Sequence, residues 1–291
     1  MKMNFDEFKE YMKEYVKEFL PDDKDVFLDE VVKNNNITLT GIIIKGKDEK
    51  VVPCIYLEGY YVDYMDGMGV TEIAKDILKK HEEGIQKSAN ISNNFVIHTS
   101  FKDVKDKIVP RLVNLKKNIG NLDDRPFKEV CDLAIIFIIV VDISEEGVAH
   151  YPVNNTFMEE YNLTVDELYD LAIGNMKKMF PSKVEKISEF TGDTSTDEYD
   201  IYIITNELMI NGATNILDCE VMEQLKNKIG EDVILLPSSI CEFIATKRKP
   251  NEDNLLLALI NEMNETNIAA IDYLSDSIYT YDFNNNELIC I

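Results

Sequence analysis

The sequence predicts an α+β fold with mixed, largely antiparallel sheets and flanking helices. Three short apolar runs, at residues 26–32, 37–44 and 51–57, follow one another with only polar turns between them, as in an antiparallel meander. Segments with helical periodicity occur on both sides of these runs and throughout the remaining chain. They lack the regular strand–helix alternation of a doubly wound sheet, which favours α+β over α/β.

Helices are predicted where apolar residues recur every three or four positions. Such segments occur at residues 4–20, 71–81, 101–118, 164–180, 219–229 and 255–263. In the third segment the face consists of Ile108, Leu112 and Leu115, with Pro110 as a kink or break. In the fourth, Thr164 and Glu167 have the spacing of a capping box. Residues 84–94 are predicted to be a polar connection.

Beyond the meander, strands are predicted where β-branched and aromatic residues cluster between turn signals. These segments are residues 133–141, 148–153, 199–205, 233–236, 279–283 and 288–291. The run at 133–141 is the longest apolar run, and Asp132 and Asp142 flank it. Nine residues are too few to cross a bilayer, so a strand buried on both faces is expected.

A domain boundary is predicted at residues 191–198, a segment without an apolar side chain. It would separate an N-terminal α+β region, 1–190, from an acidic C-terminal α+β region, 199–291. The alternative is a long exposed loop within one integrated unit.

The charge balance restricts the class of partner. The chain has 54 acids and 30 bases, a net charge of −24. That charge opposes direct binding to nucleic acid or to an anionic membrane. Residues 188–291 carry 20 acids and five bases, and residues 251–291 contain no lysine or arginine. This region is either a solvated acidic face or a surface for a basic protein. The candidate binding acids lie on or beside the 255–263 helix: Glu252, Asp253, Glu262 and Glu265.

The cysteines and the N-terminal segment predict a cytoplasmic protein. Five cysteines are scattered without a CxxC pair, which predicts reduced and mostly buried thiols. The first residues alternate charged and apolar side chains, unlike a signal peptide.

No cofactor or metal is predicted from the motifs. Gly67 and Gly69 lack the third glycine of a dinucleotide fingerprint. The three histidines, His81, His98 and His150, are far apart and do not have metal-ligand spacing.

The candidate catalytic residues form one compact segment, Ser238, Ser239, Cys241 and Glu242, directly after a predicted strand. One interpretation is a nucleophile on a tight turn, served by a distant base such as His98 or His150. The other is structural: a serine caps a helical turn, and Glu242 completes the cap.

A second polar segment contains Asn206, Asn211 and Gly212. Asn-Gly is a strong turn signal, so a hairpin or a strand-to-helix turn is expected. The alternative is a ligand-binding loop.

Several segments resemble a domain-of-unknown-function family of acidic cytosolic proteins from anaerobic Gram-positive gut bacteria. The resemblance extends from about residue 31 to the C-terminus, and its segments are CIYLEGYYVDYMDGM, DELYDLAIGNMKKMFP, TNELMINGATNIL, LPSSICEFI and LSDSIYTYD. In this family the LPSSI segment is usually followed by His-Glu, whereas Cys241 precedes Glu242 here. The resemblance therefore implies that any Ser-His activity is lost or changed in this chain.

The sequence thus predicts a noncatalytic cytosolic protein that binds a basic protein through its acidic C-terminal surface. Its most specific form is a decoy or inhibitor of a basic nucleic-acid-binding protein. The alternatives are a hydrolase or transferase using Ser238, Ser239 or Cys241 with Glu242, and a small-molecule binder.

Overall fold

A computed structural model describes residues 2–47, 49, 52–92, 100–144, 147–193 and 200–291. The chain forms two compact units, Met1–Lys33 with Ile37–His98, and Asn34–Asn36 with Thr99–Ile291. Both units combine helices with antiparallel strands, which confirms the predicted α+β class.

The first unit is a three-stranded meander with three helices. Its strands pair antiparallel in the order β1-β2-β3, as predicted. The elements are α1 (Phe5–Lys17), β1 (Lys24–Val32), β2 (Thr38–Gly46), β3 (Cys54–Tyr56), α2 (Glu58–Asp66) and α3 (Val70–Ser92). The core of this unit forms where Phe8 and Met12 of α1 meet Ile42 of β2 and Ile73 of α3.

The polar connection predicted at residues 84–94 is wrong, because α3 continues to Ser92. Its residues are polar but compatible with a helix, and no proline interrupts them. Gly84 has a packing role, since a Cβ at this position would lie 2.3 Å from Cγ of Pro53.

The second unit contains two sheets. One has six strands in the order β13-β12-β10-β11-β9-β8, and in the other β6 pairs with β4, β5 and β7. The strands are β4 (Ile108–Asn114), β5 (Phe127–Val130), β6 (Leu133–Ser144), β7 (Gly147–Pro152), β8 (Ser182–Lys186), β9 (Ile201–Asn206), β10 (Val233–Ser239), β11 (Glu242–Lys247), β12 (Tyr279–Asp282) and β13 (Glu287–Cys290).

The helices of the second unit are short apart from three. They are α4 (Phe101–Val104), α5 (Ile119–Leu122), α6 (Asn155–Tyr161), α7 (Val165–Met179), α8 (Ile187–Thr191), α9 (Cys219–Ile229) and α10 (Asp253–Thr266). The predicted capping box of α7 is confirmed, since Thr164 and Glu167 each accept a hydrogen bond from the other's backbone N–H. Within the described residues, no helix is long and apolar enough to cross a membrane.

Strand β6 is the centre of its sheet, which confirms the predicted strand at 133–141. Both of its faces are buried. Ile135 and Phe137 belong to the largest core cluster, whereas Ile136 and Ile138 pack on the opposite face.

The helix predicted over residues 101–118 is wrong at its centre, where strand β4 pairs with β6. Ile108 and Leu112 fit helical spacing, but they also fit the two-residue period of a strand. Val109 and Val113 are buried on the opposite face, and Pro110 lacks the N–H that a helix needs.

The structure also divides the chain elsewhere than the predicted boundary at 191–198. Residues 1–190 and 199–291 are not separate units, because β8 and β9 pair with each other across that segment. The chain between these two strands also contains α8. Residues 194–199 lie outside the described residues.

Candidate functional site

The predicted catalytic residues lie where β10 turns into β11: the two serines end β10, Cys241 is in the turn and Glu242 begins β11. The register shifts between Pro237 and Ser239, which marks a β-bulge. The backbone N–H of Cys241 donates to Oγ of Ser239 over 3.0 Å, and Oγ of Ser238 donates to Oε1 of Glu242 over 3.0 Å. The predicted helical cap is thus wrong, because the serine hydroxyls stabilise a β-turn in a hairpin whose second strand starts at Glu242.

The hydrogen bonds of Ser238 and Ser239 stay within this turn. Of the two predicted distant bases, His98 lies outside the described residues. His150 lies on β7, with Nδ1 3.1 Å from the carbonyl oxygen of Val148. The hydroxyl of Ser238 instead faces a carboxylate, which is a weaker base than the histidine of a catalytic triad. This geometry supports a structural role for the two serines.

The second predicted segment is a strand-to-helix turn, one of the two expected forms. Asn206 is buried at the end of β9. Its Oδ1 accepts from the backbone N–H groups of Leu208 and Ile210, and its Nδ2 donates to the carbonyl oxygen of Ile210 over 2.8 Å. Asn211 adopts a left-handed conformation with φ of 50°, and a 3₁₀ helix, Gly212–Leu217, follows.

The structure brings these two segments together. Oγ1 of Thr205 donates to the carbonyl oxygen of Cys241 over 2.9 Å, and the N–H of Ala213 donates to the carbonyl oxygen of Ile240 over 3.3 Å. A Cβ on Gly212 would lie 2.3 Å from the carbonyl oxygen of Cys241. Glycine at 212 therefore permits the close approach of the two segments.

Cys241 is half-buried at this junction. Burial raises the pKa of its thiol, although a hydrogen bond from the backbone N–H of Asn211 acts in the opposite direction. A thiol with a raised pKa is a poor nucleophile near neutral pH. This property argues against Cys241 as a catalytic thiolate.

The prediction that the cysteines are mostly buried is wrong. Cys131, Cys219 and Cys290 are exposed, and Cys54 and Cys241 are intermediate. These residues lie in turns, near strand ends or at a helix start, where side chains remain accessible. The apolar character of cysteine therefore did not predict how exposed these five side chains are.

A shallow depression, open to solvent, lies beside the junction. Its lining includes Pro110, Phe180, Asn206, Asn211, Thr214 and Asn215. Strand β4 forms one side, and its Leu112 N–H donates to Oγ1 of Thr214 over 3.4 Å. Asn206 and Asn211 therefore combine a role in the loop with a place in the lining of this depression.

Two residues near the junction were not selected from the sequence, Arg111 on β4 and Arg125 after α5. Nε of Arg111 is buried and has no hydrogen-bond partner among the described residues. Burial lowers the pKa of both guanidinium groups. In the sequence, Arg111 lies in a segment where bases outnumber acids, residues 101–118. Its burial could not be predicted, because it depends on the strand that was predicted as a helix.

The four candidate binding acids lie at α10, apart from the serine turn in sequence. Two of them are paired: Asp253 accepts two hydrogen bonds from Arg248, at 2.6 and 3.2 Å, and Glu252 lies 4.0 Å from Nζ of Lys249. Glu262 and Glu265 are exposed and have no ion pair among the described residues. Only the second pair is therefore available to a partner's cations.

Across the described parts of the chain, no group of three His, Cys, Asp or Glu residues is arranged to hold a metal ion. The polar groups of the junction are mainly backbone amides, side-chain amides, hydroxyls and guanidinium groups. Such groups bind by hydrogen bonding and charge.

The chain belongs to a family of unknown function (DUF5688), whose model matches residues 5–283. This match confirms the resemblance to a domain-of-unknown-function family over nearly the whole chain. No curated protein and no solved structure matches the chain.

Proposed function

We propose that this protein is a noncatalytic, cytoplasmic binding protein that uses its acidic C-terminal surface to bind a basic protein. In its most specific form it is a decoy that occupies the basic groove of a nucleic-acid-binding protein. The carboxylates would then replace the phosphates of the nucleic acid in that groove.

The observation that supports this proposal is the outer face of α10. Leu255 is 68% exposed and Leu259 is 45% exposed, one helical turn apart. Glu262 and Glu265 continue the same side of the helix, away from the buried Ile260. Such a surface combines apolar contact area with negative charge, which suits a basic amphipathic partner.

The charge around this face supports a basic rather than an acidic partner. The only lysines and arginine near the start of α10 in sequence are Lys247, Arg248 and Lys249, and two of these pair with Asp253 and Glu252. The far end of α10 has no compensating cation in the sequence, because residues 251–291 contain no lysine or arginine.

The test is a quantitative pull-down from a host-cell extract over a series of salt concentrations. Wild-type protein is compared with Glu262→Gln/Glu265→Gln and with a control, Glu14→Gln/Glu18→Gln, which removes the same charge from exposed positions at the end of α1. We expect a basic protein to be retained by the wild type and the control, and lost from the α10 variant. Its retention should fall steeply with salt.

Equal retention by both double variants at every salt concentration would contradict the proposal. The same conclusion would follow if the wild type retained no basic protein at low salt.

A further inference from the structure

The two-residue turn that joins β5 to β6 is fixed to the β12–β13 hairpin through its second residue. The turn consists of Cys131 and Asp132, because the flanking Val130 and Leu133 pair with each other. The carboxylate of Asp132 accepts hydrogen bonds from three hydroxyl groups at or just before β12: Ser275 over 2.6 Å, Ser277 over 3.2 Å and Tyr279 over 2.5 Å. This cluster holds the turn against the hairpin.

The first residue of the same turn contacts β13 through its sulfur. Sγ of Cys131 donates to the carbonyl oxygen of Leu288 over 3.4 Å. The N–H of Ile291 donates inward, to the carbonyl oxygen of Ile278. In the alternation of an antiparallel ladder, the N–H of the preceding residue, Cys290, therefore points outward, as does the carbonyl group of Leu288. That N–H donates to Sγ of Cys131, so this sulfur lies against the backbone of Cys290 itself.

The side chain of Cys290 lies on the face of the sheet that meets the turn. Cys290 pairs directly with Tyr279. Directly opposed residues of antiparallel strands place their side chains on the same face, with Cβ atoms about 4.5–5.5 Å apart. The hydroxyl of Tyr279 reaches Asp132, the neighbour of Cys131. Both cysteines are exposed, so the two thiols lie near each other where a solute can reach them.

Cys131 also has a backbone conformation that cysteine rarely adopts. Its φ is 57°, in the left-handed region, where two-residue hairpin turns normally carry glycine, asparagine or aspartate. Any of these residues would form the turn with less strain. A residue held in this region despite the strain is typical of functional positions. The requirements of the turn therefore do not explain a cysteine at 131, whereas the chemistry of its thiol does.

We propose that Cys131 and Cys290 are a site of reversible oxidation, at which hydrogen peroxide forms a disulfide that ties β13 to the β5–β6 turn. One thiolate attacks a peroxide oxygen, the O–O bond breaks, and a sulfenic acid and one water form. The second thiol attacks that sulfur, so that the S–S bond forms, the S–O bond breaks, and the hydroxyl leaves with the thiol proton as a second water. The two thiols thus give two electrons and two protons to one molecule of peroxide.

The environment of Cys131 determines the order of these steps. Desolvation of its sulfur beside β13, together with the neighbouring Cys290, raises the pKa of the Cys131 thiol to about 11. Because the thiolate is the nucleophile, Cys131 is a poor first reactant near neutral pH. Cys290 is therefore the residue that peroxide oxidises, and Cys131 resolves the sulfenic acid.

The proposal is tested by disulfide mapping of the full chain after treatment with hydrogen peroxide at low protein concentration. Digestion after glutamate residues releases Cys131 and Cys290 in two separate peptides, residues 130–145 and 288–291. We expect these peptides to be joined in monomeric oxidised protein, with the loss of two hydrogens. Treatment with dithiothreitol should separate them again.

The disulfide should also raise the melting temperature, because a cross-link across a long loop restricts the unfolded chain. For oxidised over reduced wild type we expect an increase of about 5 °C or more. Cys131→Ser and Cys290→Ser should each abolish the joined peptides and the increase. The matched control is Cys219→Ser, which replaces another exposed cysteine and should retain both.

Three outcomes would overturn the proposal. The first is oxidation of Cys290 to a sulfinic acid without any joined peptide in the wild type. The second is a disulfide that joins two chains, or one that contains Cys219 in place of Cys131 or Cys290. The third is an oxidised wild type that melts at the same temperature as oxidised Cys290→Ser, which would show that β13 is not tied to the turn. Because none of these variants alters α10, they test the cysteine pair separately from the proposed protein partner.

Discussion

The Ser238–Glu242 turn and the outer face of α10 belong to the same unit but differ in what their side chains already bind. In the turn, the hydroxyls of Ser238 and Ser239 are engaged by Glu242 and by the N–H of Cys241. On α10, Leu255 and Leu259 lie open to solvent beside Glu262 and Glu265, which form no ion pair with the described part of the chain.

This comparison distinguishes side chains whose hydrogen bonds maintain the fold from side chains that remain available to a partner. A polar side chain with its hydrogen bonds formed inside a turn stabilises that turn, and its removal should be measured as a loss of stability. An exposed leucine or an unpaired glutamate contributes little to stability, so its removal should be measured in binding. Arg111 is an intermediate case, because the residue is partly exposed while its Nε is buried without a hydrogen-bond partner among the described residues.

The largest effect on stability is expected from aspartate substitutions in β6, where the two faces of the strand should respond differently. Ile135 pairs with Leu112 and lies in the main core, whereas Ile136 pairs with Arg111. Ile135→Asp should abolish soluble expression, because an unpaired buried carboxylate costs several kcal/mol, on the order of the whole stability. In Ile136→Asp the Cβ atoms of residues 136 and 111 are about 5 Å apart, as in any directly opposite pair. The new carboxylate can therefore pair with the guanidinium group of Arg111, and this variant should remain folded.

Soluble yield and urea midpoints of the two aspartate variants measure this difference. Equal loss of folding in both would show that Arg111 cannot pair with an acceptor at that position.

A smaller effect is expected where the Asn206 loop approaches the serine turn. Gly212→Ala should lower the free energy of unfolding by about 1–3 kcal/mol, because the new Cβ would overlap the backbone of Cys241. The matched control is Gly174→Ala in α7, where a Cβ meets nothing within 4 Å. This change should stabilise the protein by roughly 0.5–1 kcal/mol. Denaturant titration of both variants is the measurement, and an unchanged stability of Gly212→Ala would mean that the two segments separate easily.

Substitutions in the Ser238–Glu242 turn should lower the free energy of unfolding by less than Gly212→Ala does. Ser239→Ala removes the acceptor for the N–H of Cys241 and should cost about 1 kcal/mol of unfolding free energy. Ser238→Ala should cost less, since Glu242 retains contact with water. Retention of the basic partner should be the same for both variants and the wild type. Loss of a measurable enzymatic activity at unchanged melting temperature would restore the hydrolase alternative.

Local patterns predicted much of the fold. The meander, the capped helix α7 and the terminal hairpin of β12 and β13 follow from alternation, capping residues and turn residues that are adjacent in the chain. The failures occurred where one pattern fits two structures. Ile108 and Leu112 suit a helix or a strand, and Ser239 with Glu242 suits a helical cap or a tight hairpin.

The candidate sites were less predictable than the fold. The α10 acids could be selected from charge alone, but their pairing could not, because Arg248 approaches Asp253 only when α10 starts at that residue. Cys131 and Cys290 are far apart in sequence. Their proximity depends on how the β5–β6 turn packs against the β12–β13 hairpin, which the composition of the segments does not determine.

The smallest change in stability is expected on α10, where it separates apolar contact from charge. Leu255→Gln/Leu259→Gln should alter the free energy of unfolding by no more than about 0.5 kcal/mol, because both leucines are exposed and glutamine suits a helix. Binding to the basic partner should weaken, and the dependence of its affinity on salt should stay as steep as in the wild type. Glu262→Gln/Glu265→Gln should show the converse, a flatter salt dependence, because exposed charges steer association. Titration of the captured partner at several salt concentrations distinguishes the two variants. If both change affinity and salt dependence in the same way, the leucines and glutamates do not act as separate parts of one surface.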